Sequence, residues 1–88
     1  MKIKDGFILR NIADTYMAVP VAQRVIDFKG IITLNAISAS IWEFLKDEKE
    51  YSEILDFITS SYEVDEETAK KDLDEFIIEM KKGGVLDE

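Results

Sequence analysis

The stretch that most restricts how this chain can fold is Ile31-Ile32-Thr33-Leu34-Asn35, running into Ala36-Ile37-Ser38-Ala39-Ser40-Ile41-Trp42-Glu43-Phe44-Leu45. A β-rich run stops at Leu34. Asn35 can accept a hydrogen bond from a free amide of a first helical turn, and a helix carrying the chain's single tryptophan follows. The residues before this boundary read as sheet and those after it as helix.

Before the boundary, Phe7-Ile8-Leu9-Arg10-Asn11-Ile12 forms one strand and Thr15-Tyr16-Met17-Ala18-Val19-Pro20-Val21 the next, with Ala13-Asp14 as the turn of a hairpin. Proline cannot donate to a β-ladder, so Pro20 belongs at a strand end or on an edge. The third strand is Ile31 to Leu34; Val25 to Phe28 either extends it through a bulge at Gly30 or lies as a separate arm.

After the boundary, Ile37, Ile41, Phe44 and Leu45 recur at helical spacing in a helix from Ala36 to Lys46, with Trp42 as a core anchor. Ser52 is placed as the N-cap of a second helix, Glu53 to Ser61, whose Ile54, Leu55 and Ile58 face inward with Tyr62. Asp65 caps a third helix, where Glu66 and Glu67 suit the positive end of the helix dipole and Val64 and Ala69 occupy the positions of a hydrophobic staple. Ala69, Leu73, Phe76, Ile77 and Met80 form its core stripe, Gly83-Gly84 ends it, and Val85-Leu86 returns to the core. At 100° per residue Ile78 lies about 180° from Ala69, alone among charged neighbours.

At 88 residues the chain is expected to be one domain over 1–88. A domain of this size buries about 60% of its unfolded surface, which leaves little room for an enclosed active site. The sequence has no cysteine and no histidine, which removes disulfides, thiolate nucleophiles, ordinary zinc sites and imidazole acid–base chemistry. Ser38, Ser40, Ser60 and Ser61 have no histidine to activate them, so the expectation is a protein that is not an enzyme, with no metal and no cofactor. No segment resembles a signal peptide or membrane span, so a soluble cytoplasmic protein without a membrane partner is expected.

Charge divides at the same boundary. Residues 1–34 carry five basic and three acidic side chains, residues 35–88 six basic and sixteen acidic. A helical half with a net charge of −10 repels phosphate, so nucleic acid is not an expected partner. The fold class expected is α+β of winged helix-turn-helix type, a three-stranded antiparallel sheet followed by three helices. Such a sheet has an unpaired edge to which an extended peptide can add by main-chain bonds. Each bond contributes only about 1 kcal/mol, so apolar side chains in a groove must supply the rest.

Leu34-Asn35, then Ile41-Trp42-Glu43-Phe44-Leu45, Tyr62-Glu63-Val64-Asp65 and the ending Lys82-Gly83-Gly84-Val85-Leu86 together resemble the PqqD-like family, the winged-helix recognition domains of ribosomally made, modified peptide pathways. The resemblance covers Phe7 to Leu86; where relatives often carry Glu-Thr-Gly after Leu-Asn, this chain has Ala36-Ile37-Ser38. It implies a non-catalytic chaperone that holds the leader segment of a precursor peptide and presents it to a modifying enzyme, typically a radical S-adenosylmethionine (SAM) protein. The leader is then similar to a fourth strand, antiparallel to the third and lying against the last helix. Carried onto this chain, the peptide-binding residues are Ile31, Ile32, Thr33 and Leu34 on the strand and Lys70, Leu73, Asp74, Ile77, Ile78 and Lys81 on the helix, with Lys70 and Lys81 able to pair with acidic leader residues. Two other readings share the fold: a DNA-binding winged helix, and an assembly module that self-pairs through the edge. A monomer or weak dimer is compatible with all three.

Overall fold

The computed structural model describes residues 1–21 and 32–87. Val25 to Phe28 and Ile31 lie outside the described residues. In chain order the elements are β1 (Lys2–Ile3), β2 (Phe7–Ile12), β3 (Thr15–Pro20), β4 (Ile32–Leu34), α1 (Ala36–Phe44), α2 (Tyr51–Ser61), α3 (Glu66–Lys82) and β5 (Leu86–Asp87). The antiparallel sheet β2-β3-β4 followed by three helices is the α+β arrangement expected. A second sheet, β1 with β5, pairs Lys2 with Asp87 and Ile3 with Leu86 and was not foreseen, because two-residue strands carry no periodicity to read.

β2 and β3 join at Ala13 and Asp14, both at positive φ (52° and 64°), the mirror-image turn whose twist matches a hairpin. One sheet face is apolar and turned inward: Ala18 and Leu34 are buried, and Phe7, Leu9, Tyr16 and Ile32 pack against the core in part. Pro20 ends β3 opposite Phe7, where its missing amide leaves the β2 ladder intact.

The helices cover that inward face. Asn35 is extended (φ −82°, ψ 176°) and its side chain accepts from the Ser38 amide at 2.8 Å, so the N-cap read from sequence starts α1. Ile41 and Leu45 are fully buried, Trp42 is 1% exposed, and Ile37 and Phe44 are half-buried. Phe44 stacks on Phe57 of α2, with ring centroids 4.3 Å apart. The second helix begins earlier than the serine implied. Its N-cap is Glu50, not Ser52, with Glu50 and Glu53 exchanging side-chain to backbone bonds as a reciprocal capping box.

α3 follows the sequence closely. Ala69, Leu73, Phe76 and Met80 are buried, Ile77 is half-buried and Ile78 stands 52% exposed. Gly83 is right-handed (φ −78°) and Gly84 takes the left-handed position (φ 68°), after which Val85 and Leu86 enter the core. At the other end the Asp65 carboxylate accepts from the Thr68 amide at 2.8 Å, a bond that lowers its pKa. A depressed folded-state pKa means that this cap stabilises above the unfolded value of about 3.9 and is lost as pH falls through the folded value. Asp65→Asn keeps the acceptor oxygen and removes the titration, so its stability should depend less on pH below about 4 than that of the parent, as acid melts followed by circular dichroism would record.

Candidate functional site

The hydrogen-bond parity of the sheet identifies its open edge. Val21 N–H donates to the Gly6 carbonyl at 2.8 Å, continuing the ladder closed by the two-residue turn, so residues 15, 17 and 19 of β3 direct their main-chain groups to β2. Tyr16 and Ala18 therefore direct theirs to β4. Through the register Tyr16 to Leu34, Met17 to Thr33 and Ala18 to Ile32, the amides and carbonyls of Ile32 and Leu34 face β3, while those of Thr33 face the side on which no strand pairs among the described residues. Asn35, still extended, continues the parity of Thr33. Side chains divide the other way, with Leu34 buried, Ile32 half-buried and Thr33 exposed.

Beside Thr33 and Leu34 the surface sinks into a groove between the start of α1 and one flank of α3. Thr33, Leu34 and Asn35 form one wall, Ile37 and Ser38 close the end, and Asp72, Glu75, Phe76, Glu79 and Met80 form the other wall. Its cavity of about 180 Å³ is smaller than a typical small-molecule site and suits a few side chains of an extended peptide. Phe76, Met80 and Leu34 make an apolar floor, and the carboxylates of Asp72, Glu75 and Glu79 stand along the rim. Further along, a Cβ built on Gly83 would overlap the Cδ1 of Ile32, so the bare glycine leaves room for the tip of that side chain against the end of α3.

Of the strand residues read from sequence, Thr33 and Leu34 line the groove and Ile32 packs beside it at Gly83; Ile31 is outside the described residues. None of the six helix positions carried over, Lys70, Leu73, Asp74, Ile77, Ile78 and Lys81, lines it. Leu73 is wholly buried in the core. Asp74 faces α2, accepting from the Tyr51 hydroxyl at 2.8 Å, a bond that raises the tyrosine's pKa. Lys70 reaches Glu66 one turn back at 3.7 Å, and Ile78 and Lys81 are exposed away from the groove.

The difference between the two sets is which flank of the α3 stripe borders this groove. Periodicity locates the buried stripe of α3 but is symmetric about it, and the chain path puts α2 against the arc of about 40° to 140° from Ala69 and β4 against the opposite arc. Asn35, Ile37, Ser38, Phe76 and Met80 line the groove outside the sequence-based set, and with them three carboxylates of α3, Asp72, Glu75 and Glu79. The signal was their spacing, i, i+3 and i+7, which places three carboxylates on one flank. Among the described residues no group of acidic side chains is placed to hold a metal ion, and no helix is long and apolar enough to cross a membrane.

Three comparisons with known proteins bear on this site. No curated protein matches the chain significantly. A solved structure described as TbiB1 in complex with the TbiA(beta) leader peptide matches with a TM-score of 0.75 and 29% identity, over 99% of this chain and 95% of that one. The family described as coenzyme PQQ synthesis protein D (PqqD) matches residues 23–86, which takes in β4, all three helices and both walls of the groove, and leaves the hairpin before it to be matched by the structure alone. The chain belongs to the PqqD family.

Proposed function

We propose that this protein is a non-catalytic recognition domain that takes the leader segment of a ribosomally made precursor peptide onto the free edge of β4 and presents the remainder to a modifying enzyme of the radical SAM class. The observation that carries the proposal is the outward-facing Thr33 backbone, unpaired among the described residues, opening directly onto a groove of side-chain size. A strand added there gains main-chain bonds from Thr33 and sets alternate side chains into the groove between β4 and the flank of α3. The likeness to a protein solved with a leader peptide supports a leader peptide as the ligand. Duplex DNA is a poor alternative occupant, because the helix flank beside the edge presents carboxylates where phosphates would lie.

Titrating isotope-labelled protein with a synthetic leader from a precursor encoded beside it should shift the amide signals of Thr33, Asn35 and Glu75 to Met80. Ile8 and Ile12, exposed on the opposite edge strand, should stay still. Shifts confined to β2, or none at any concentration up to about a millimolar, would sink the reading.

A further inference from the structure

We infer that the groove selects leaders that carry basic side chains at alternate positions of the added strand. This rests on the β4 edge being the peptide site, and it names the chemistry of the peptide. On one wall of that site Asp72, Glu75 and Glu79 project from successive turns of α3. Glu79 has only a loose partner, Lys82 at 3.9 Å, and Asp72 and Glu75 have no ion pair or hydrogen bond among the described residues. Asp72 is also half-buried, so one uncompensated charge sits partly out of water at the groove wall. An arriving cation would relieve this, and an arriving carboxylate would worsen it.

The spacing fits an extended peptide. Along the helix axis the three carboxylates span about 10 Å at 1.5 Å per residue. In a strand, side chains on one face recur every 6.7 Å or so. Two lysines or arginines at i and i+2 on the face turned to α3 can therefore each reach a carboxylate. None of the four lysines of α3 lines the groove: Lys70 is engaged with Glu66, Lys71 and Lys81 lie outside the lining, and Lys82 makes only the long 3.9 Å contact to Glu79 that an incoming cation would have to displace.

The test uses selection from a display library of random twelve-residue peptides on three forms of the whole protein. These are the parent, the groove variant Asp72→Asn/Glu75→Gln/Glu79→Gln, and a control that removes as many charges elsewhere, Asp56→Asn/Glu63→Gln/Glu67→Gln. Peptides from the parent and the control should be enriched in Lys or Arg at i and i+2. Those from the groove variant should lose that pattern, and a parent-selected peptide should bind the groove variant roughly tenfold more weakly, with a shallower dependence on salt. Equal basic enrichment on all three forms, or loss on the control as well, would show attraction to overall charge and overturn the proposal. Peptides that shift the Thr33 amide but are neutral or acidic would overturn it while leaving strand addition intact. A selection whose peptides never shift Thr33 would remove the strand-edge reading itself, and this inference with it.

Discussion

Thr33→Pro should reduce leader binding about a hundredfold while leaving the melting temperature within a few degrees of the parent. The Thr33 amide points to the open side of β4, so proline removes a donor offered to the peptide and sets its ring where the added strand must lie. Ile32→Pro is the informative partner. Its amide points to β3, opposite Ala18, so it should break the sheet's own ladder and lower stability instead. Titration calorimetry together with thermal melts separates the two. If Thr33→Pro binds a leader as tightly as the parent, the peptide does not pair with this edge.

The second large effect concerns the fold. Trp42→Ala should destabilise the domain by about 3–5 kcal/mol, because Trp42 is 1% exposed and a neighbour of fully buried Ile41 in the same core. For a domain this small that is a large part of a total of about 5–15 kcal/mol, and the melting midpoint should fall by about 15 °C or more. Circular dichroism would show it directly; a midpoint within about 5 °C of the parent would mean that the indole is not the anchor its burial indicates.

These two residues lie on either side of Asn35, and they mark how far sequence reasoning reached. Patterns fixed by local chemistry were legible: the Asn35 and Asp65 caps, the α3 stripe, the Ala13-Asp14 turn and the exposed Ile78 all stand where spacing and cap preference placed them. Relations set by the path of the chain were not. Ser52 is the cap that residue preference points to, and the reciprocal bonding of Glu50 with Glu53 outweighs that preference. Lys70, Leu73, Asp74, Ile77, Ile78 and Lys81 lie outside the groove lining, because a helical wheel has no left or right until a neighbour occupies one side. The β1–β5 pairing joins segments more than eighty residues apart, and no local window contains both.

That last pairing has a consequence for how the domain can be handled. Since Lys2 lies opposite Asp87, a short bridge of a few flexible residues could close the backbone into a ring, and the cut could then be moved to the Ala13-Asp14 turn, at the far end of the hairpin from Gly6 and Val21. Such a permuted or circular form should keep the β4 groove. The same geometry makes the domain a cassette that could be grafted into an exposed loop of a host protein, entering and leaving at nearly one point, with its peptide-reading edge still open.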